Sequence, residues 1–180
     1  MKLVTARLVL RELELRDFAA MREFDTDPEV QRYRGSRTVT PEHTRAYLER
    51  VIATQSDPER RRYHLGITLA GEDRVLGGVM IFITNPELRE AELGYDLHRA
   101  HWGRGLVSEA ALALLGLAFD QLGMHRVWAR CNPENIGSWR VMEKIGMRRE
   151  GLFRECELVL NEWRDILFYA ILDHEWRAGR

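Results

Sequence analysis

The chain has 180 residues, of which 45% are hydrophobic and 31% are charged, a composition typical of a globular protein that folds in water. Its formal net charge of -1 argues against nucleic acid as the main partner, because clustered Lys and Arg residues hold nucleic-acid phosphates. No run of about 18 apolar residues occurs, and the first residues lack the apolar core of a signal peptide. We therefore expect one cytoplasmic domain over residues 1–180, with no membrane-spanning segment.

The first half of the chain alternates strand patterns with short helices. Branched residues predict a first strand at 7–13. Asp17 and Thr40 are suitable N-caps for two helices, and Thr40 is followed by proline, which favours the first helical position. Three further strands are predicted at 63–69, 75–83 and 91–97.

The second half begins with a long apolar helix from Leu106 that ends before Gly123. A strand at 125–131, a helix capped by Asn135, and two strands at 147–160 and 163–172 follow. This order predicts an α/β (α+β) fold, with a mixed, mostly antiparallel sheet of about seven strands flanked by about four helices. The two cysteines, Cys131 and Cys156, are too few for a disulfide framework and are expected to be reduced core residues.

The segment before the long helix has the features of an anion site. Gly103 and Gly105 allow a ligand to approach the backbone closely, and Arg104 adds a cation. The first N–H groups of a helix lack partners within it, and the helix dipole places partial positive charge there. These features predict a phosphate cradle. The alternative is that the glycines only turn the chain into a core helix.

Other phosphate and metal motifs fail on spacing. A P-loop needs Lys and Ser or Thr after its last glycine, but Leu106 follows Gly105. The dinucleotide fingerprint needs Gly or Ala where this chain has Ser108. His98 and His101 lie in a predicted loop without a third ligand nearby, so no metal site is predicted.

Five segments in this order and spacing carry a resemblance to a known family. They are residues 5–11, 27–30, 92–97, 102–110, and 132–138 with 143–147. The chain resembles the GNAT N-acetyltransferases, and within them the Rim-type branch that acetylates ribosomal-protein N-termini. The resemblance covers nearly the whole chain, and it implies acetyl-CoA as the co-substrate.

The resemblance also implies which residues bind acetyl-CoA. Pantetheine would lie between the splayed fourth and fifth strands, next to backbone groups near Leu97, and Asn135 would contact the cofactor as well as cap its helix. Trp102 and Val107 depart from the family pattern, and Val107 is bulky enough to restrict the approach to the pyrophosphate. The residues implied to bind the pyrophosphate are Trp102, Gly103, Arg104, Gly105, Leu106, Val107 and Ser108.

The residues that the resemblance implies for catalysis differ between branches of the family. Met142 occupies the position where many relatives have an acidic Tyr, and the Rim-type branch suggests Ser138 as a donor to the leaving sulfur. The alternative is that Ser138 is an ordinary first-turn helix residue. Glu157, Glu92 or ordered water alone would act as the base. Regular strand alternation would place Glu155 and Glu157 on one face.

The expected function is acetyl-CoA-dependent transfer of an acetyl group to a primary amine, by direct attack on the thioester. The acceptor would be a protein N-terminus or a small-molecule amine. The early helices, with Tyr33, Arg34 and Phe82, would form the acceptor wall. The alternative, motivated by the missing Tyr, is a non-catalytic acyl-CoA-binding or sensing domain on the same fold. The resemblance also allows a homodimer.

Overall fold

The computed structural model describes residues 1–33 and 39–179, and these residues form one eight-stranded sheet. The strands lie in the order β1-β2-β3-β4-β5-β6-β8-β7, and every adjacent pair is antiparallel except β5 and β6, which are parallel. The strands are β1 Lys2–Val4, β2 Leu8–Glu12, β3 Arg62–Leu69, β4 Gly77–Asn85, β5 Glu90–Leu97, β6 Arg126–Cys131, β7 Arg148–Val159 and β8 Glu162–Leu172.

Six α-helices accompany the sheet in the described part of the chain. Thr40 caps α3 as predicted, because its hydroxyl accepts the His43 N–H at 3.3 Å. Asp17 precedes α1, but its carboxylate binds the Glu14 N–H and the Arg11 guanidinium instead of capping that helix. No described helix is long and apolar enough to cross a membrane. The helices are α1 Phe18–Asp25, α2 Pro28–Gln31, α3 Pro41–Ala53, α4 Leu106–Gly116, α5 Ile136–Lys144 and α6 Asp173–Ala178.

Two hydrophobic clusters cover opposite faces of the sheet. Leu65 and Ile67 are fully buried in the larger cluster, which contains the apolar residues of α4. A Cβ added at the intervening Gly66 would instead meet Leu13 and Val75 of the smaller cluster, to which α1 and α3 contribute. Because successive strand residues point to opposite faces, α4 lies on one face and α1 and α3 on the other.

The structure corrects four expectations about the elements and the cysteines. The sheet has eight strands because the short β1 pairs with β2, and α6 adds a helix that was not predicted. Cys131 is buried, but Cys156 is exposed, because it lies on β7 at the edge of the sheet. Regular alternation on β7 is also wrong. The pairing with β8 shifts between Phe153 and Glu157, and Glu155 has a φ of 47°.

Candidate active site

A cleft opens where the parallel strands β5 and β6 separate. Their pairing ends at Glu92 and Trp128, and a cavity of about 820 Å³ lies beyond this point. Its lining includes both Glu92 and Leu93, which point to opposite faces of the sheet. The cavity therefore runs through the gap from one face to the other. The predicted site residues that line it are Glu92, Leu97, Trp102, Gly103, Gly105, Leu106, Val107, Ser108, Asn135 and Ser138.

The glycine loop, residues 102–105, leads into the N-terminus of α4 at this cleft. Gly103 and Gly105 have φ angles of 72° and 74°, in the left-handed region that favours glycine. No side chain accepts a hydrogen bond from the first N–H groups of the helix. The Gly105 carbonyl accepts its hydrogen bond from the N–H of Glu109, one turn further along. The N–H groups of the first helical turn are therefore available to a ligand. A Cβ added at Gly103 would meet no atom within 4 Å, so the space around it is open.

Two cations from distant parts of the chain flank Gly105. A Cβ built on this glycine would lie 3.6 Å from Lys144 Nζ and 3.7 Å from Arg7 Nη2. Glu109 holds Arg7 in place with an ion pair of 2.6 Å. Sequence reasoning missed both cations, because no local pattern connects residue 7 or 144 with the loop.

Arg104, the predicted cation of the loop, lies outside the residues that line the cleft. Its guanidinium Nη1 is 3.1 Å from His101 Nδ1, while its carbonyl accepts a hydrogen bond from Arg7 Nη1 at 3.0 Å. Arg104 therefore contributes a backbone contact that orients Arg7, and its side chain lies beside His101.

Trp102 attaches the glycine loop to the end of β5. Its indole Nε1 donates a hydrogen bond of 2.7 Å to the Leu97 carbonyl. That carbonyl already has a donor within the protein, so it is less available to pantetheine than the sequence suggested. The Trp102 indole thereby sets the distance between the loop and the open edge of β5.

Asn135 and Ser138 lie at the start of α5, on the opposite side of the cleft. Asn135 Oδ1 accepts the Ser138 N–H at 3.2 Å, which confirms that Asn135 caps the helix. The Ser138 hydroxyl is 3.0 Å from the Tyr95 hydroxyl, and Tyr95 also donates to the Ser138 carbonyl at 2.9 Å. Burial raises the pKa of Tyr95, so the phenol keeps its proton. Tyr95 was not among the predicted site residues.

The two candidate bases both contact Arg130, a β6 residue that sequence reasoning also missed. Arg130 Nε is 3.7 Å from Glu92 Oε1, and Arg130 Nη1 is 3.3 Å from Glu157 Oε1. Burial raises the pKa of Glu92, and the nearby Arg130 and Arg62 oppose that rise. Glu92 lines the cleft and Glu157 does not, so the two carboxylates differ in their access to a ligand.

The expected acceptor wall is only partly found at the cleft. Tyr33 lines it together with Glu29 and Val30 of α2, and the Tyr33 hydroxyl donates to the Glu134 carbonyl at 3.2 Å. Phe82 does not line the cleft, and its ring lies 4.7 Å from the Arg62 guanidinium carbon. Arg34 lies outside the described residues.

Comparison with known proteins identifies the family. The family profile described as "Acetyltransferase (GNAT) domain" matches residues 7–148. The chain belongs to the GNAT acetyltransferases. This GNAT chain is 36% identical to the "Uncharacterized N-acetyltransferase YnaD" of Bacillus subtilis (strain 168), over 98% of this chain and 99% of that protein.

Two further GNAT relatives match the chain. An acetyltransferase structure from Bacillus anthracis superposes with a TM-score of 0.86 and 34% identity, over 97% of this chain and 99% of the other. The "[Ribosomal protein uS5]-alanine N-acetyltransferase" of Escherichia coli (strain K12) is 30% identical over 49% of this chain and 45% of its own length.

The cleft of this GNAT acetyltransferase fits a CoA diphosphate. The cradle combines a helix start without a side-chain cap, glycines in the left-handed region, and two cations beside Gly105. Each of these features favours an anion through N–H donation or positive charge. The open space at Gly103 leaves room for it to approach the backbone.

Proposed function

We propose that this GNAT acetyltransferase moves the acetyl group of acetyl-CoA to a primary amine, either a protein N-terminal amine or a small-molecule amine. The observation that supports this proposal is the cleft, which connects the glycine loop with Glu92 through the gap between β5 and β6. The balanced reaction joins the amine nitrogen to the acetyl carbon and breaks the thioester C–S bond. It yields an amide, free CoA and one proton from the acceptor ammonium.

The glycine loop and the first turn of α4 would hold the donor. The N–H groups of Leu106, Val107 and Ser108 would bond the pyrophosphate, while Lys144 and Arg7 balance its charge. The unpaired edge of β5 before Leu97 would orient the pantetheine arm. Bound acetyl-CoA supplies the activated acetyl group, and the protein supplies its position and the proton transfers.

Glu92 would be the base that takes the proton from the acceptor ammonium. It lies where β5 and β6 begin to separate, on the rim of the cleft, and its side chain is half-buried. Burial raises the pKa of Glu92 towards neutral pH, and a general base works best when its pKa lies near the working pH. Glu157 is the second candidate, because Arg130 joins it to the same cluster.

Ser138 would donate a hydrogen bond to the departing sulfur. Its hydroxyl lies in the first turn of α5, and Ser138 lines the same cleft as Glu92. A hydroxyl of this kind stabilises developing negative charge by donation and does not need to lose its proton completely. The proposed base and donor thus come from a strand and a helix that border the same gap.

An acetylation screen tests the function. The purified protein is incubated with acetyl-CoA and, separately, peptides with N-terminal alanine or serine, spermidine, free amino acids and an aminoglycoside. The alanine peptide is included because of the uS5-alanine acetyltransferase relative. We expect an acetylated product by mass spectrometry, with equimolar release of CoA. Tight acetyl-CoA binding without acetylation of any amine would contradict the proposal and favour a non-catalytic acyl-CoA-binding domain.

The chain offers a matched control for the base. Glu90 lies two residues before Glu92 on the same strand, with 28% of its side chain exposed against 27% for Glu92, and it also pairs with an arginine. Glu90 does not line the cleft. We expect Glu92→Gln to lower turnover by about 10²-fold while Glu90→Gln leaves it unchanged. If Glu157→Gln alone lowers turnover, Glu157 is the base instead.

A further inference from the structure

Glu109 is an acidic residue in the first turn of α4, the turn that is proposed to bind the pyrophosphate. Only 18% of its side chain is exposed. Burial raises the pKa of Glu109, but hydrogen bonds from Thr5 and Arg7 bring it below its ordinary value, so the carboxylate is ionised at neutral pH. Like charges repel, so a carboxylate beside a diphosphate would by itself weaken acetyl-CoA binding. Its contacts explain why it lies in this turn.

Three hydrogen bonds connect the Glu109 carboxylate to the segment between β1 and β2. Oε1 accepts the Arg7 backbone N–H at 2.8 Å, and Oε2 accepts Arg7 Nε at 2.6 Å. Oε1 also lies 2.6 Å from the Thr5 hydroxyl. An ionised carboxylate only accepts, so Thr5 gives its one hydroxyl hydrogen to Glu109, in preference to the Leu8 carbonyl at 3.3 Å. Glu109 therefore holds both the backbone and the side chain of Arg7 against α4.

The Arg7 guanidinium is fixed at two of its three nitrogens. Nε donates to Glu109, and Nη1 donates to the Arg104 carbonyl at 3.0 Å. Because the guanidinium is a rigid plane, these two contacts also set the position of Nη2. Nη2 lies 3.7 Å from where a Cβ of Gly105 would be, and the hydrogen bonds found for Arg7 within the part of the chain that the structure describes do not use it. The donors of Nη2 therefore lie beside the glycine loop.

The exposure of Arg7 shows why it needs to be held. Half of its side chain is exposed. An exposed arginine samples many rotamers, and ordering such a side chain when a ligand binds costs free energy. The ion pair with Glu109 orders the guanidinium before the ligand arrives, which avoids that cost, and it also balances the negative charge of the carboxylate.

We propose that Glu109 is a positioning residue that acts through Arg7, by holding Nη2 beside Gly105, where it donates to the pyrophosphate of acetyl-CoA. This inference rests on the proposed function and adds to it an acidic residue that strengthens the binding of an anion. The competing explanation is that Glu109 only stabilises the fold, through the α4 dipole and its bonds to residues 5–7. A purely structural carboxylate would leave acetyl-CoA affinity unchanged or lower it by repulsion, so its removal would not weaken binding.

A double-mutant cycle on binding separates the two explanations. The affinity for acetyl-CoA is measured by isothermal titration calorimetry for wild type, Glu109→Gln, Arg7→Gln and the double variant. We expect Glu109→Gln to weaken binding by about tenfold, the size of one hydrogen bond to a charged group. In the Arg7→Gln background the same change should not weaken binding, because no guanidinium is left to position and a repulsive charge is removed. Equal weakening in both backgrounds, or none in either, would overturn the proposal.

Dephospho-CoA shows which phosphate Arg7 contacts, because it keeps the pyrophosphate of CoA but lacks the 3′-phosphate. CoA and dephospho-CoA are each titrated into wild type and Glu109→Gln. We expect the substitution to weaken the binding of both ligands by the same factor. A loss seen with CoA alone would assign Arg7 to the 3′-phosphate and overturn the pyrophosphate contact.

Glu175 supplies the control for a structural effect. It also lies in the first turn of a helix, α6, where its carboxylate accepts the Leu172 N–H at 3.0 Å and pairs with Arg148 at 3.0 Å. Its side chain is 24% exposed, close to the value for Glu109, but it does not line the cleft. We expect Glu175→Gln to lower the melting temperature and keep the wild-type affinity. A loss of affinity in Glu175→Gln equal to that in Glu109→Gln would assign the effect to stability and overturn the proposal.

The binding measurements need no acceptor, so they separate this inference from the proposed function. If wild type binds acetyl-CoA but acetylates no amine, the proposed function fails, and the cycle still tests Glu109. If an amine is acetylated, we expect Glu109→Gln to raise the KM for acetyl-CoA by the same factor, with kcat unchanged. A fall in kcat with an unchanged KM would overturn the inference. Wild type without measurable affinity for acetyl-CoA would overturn both.

Discussion

Replacing Gly105 with alanine tests the phosphate cradle directly. Its φ of 74° is unfavourable for any residue with a Cβ, at about 1–2 kcal/mol. The added Cβ would meet Lys144 Nζ at 3.6 Å and Arg7 Nη2 at 3.7 Å, which are ordinary contacts. The loss of stability should therefore come from the backbone alone. It should lower the melting temperature by about 2–8 °C.

The effect on acetyl-CoA binding should be larger than the effect on stability. The new methyl group would lie between the two cations, where the pyrophosphate is proposed to bind. Losing one hydrogen bond to a charged group, about 1.5–3 kcal/mol, should weaken acetyl-CoA binding by about 10- to 100-fold. Isothermal titration calorimetry with acetyl-CoA measures the affinity, and calorimetric melting measures the stability.

Gly123→Ala is the matched control. Gly123 also has a left-handed φ, of 65°, and an added Cβ there would meet nothing within 4 Å. It follows α4 at the opposite end from the cleft. We expect a similar fall in melting temperature with unchanged acetyl-CoA affinity. If Gly105→Ala binds acetyl-CoA as tightly as Gly123→Ala, these glycines only turn the chain, and the cradle interpretation is wrong.

Three further predictions concern charge. Lys144→Ala should raise the KM for acetyl-CoA several-fold with kcat unchanged, and added salt should reduce the difference in steady-state assays. Glu92 must be ionised to act as a base, and burial raises its pKa. As the pH is lowered, kcat/KM of wild type should therefore begin to fall at a higher pH than it would with an ordinary glutamate as the base. The same pH profile in Glu92→Gln would contradict this prediction. Asp17→Asn should lower the free energy of unfolding by about 3 kcal/mol, measured by urea denaturation, because it breaks a buried ion pair with Arg11. Asp73 pairs with the same arginine but is exposed, so Asp73→Asn should cost under about 1 kcal/mol. Equal losses in the two variants would show that burial of the pair does not matter.

Features set by neighbouring residues were predictable from the sequence. Thr40 and Asn135 cap helices because their oxygens reach N–H groups three residues away. The glycine loop was recognisable because left-handed backbone at Gly103 and Gly105 is a local requirement. The strand segments follow from branched and alternating residues, and the long helix follows from its nearly continuous apolar residues, because both patterns indicate burial. The family resemblance rested on these local segments.

Short elements at the ends of the chain were missed for a physical reason. β1 has three residues, and its strand form depends on pairing with β2. α6 has six residues, and its Trp176 donates a hydrogen bond to Asp120, far away in the sequence. Elements this short have too few residues for a periodic pattern, so tertiary contacts determine them.

The composition of the cleft was decided by the tertiary structure. No local signal of function marks Lys144, Arg130 or Tyr95, which the sheet order and helix packing bring to the cleft, or Arg7, which they bring beside Gly105. Tyr95 and Ser138 are 43 residues apart in the sequence, yet their hydroxyls are in contact. The sequence by itself determined the glycine loop and the helix caps, because these depend on backbone conformation within a few residues. The charges around the loop and the partner of Ser138 depend on contacts between distant segments, so only the folded chain decided them.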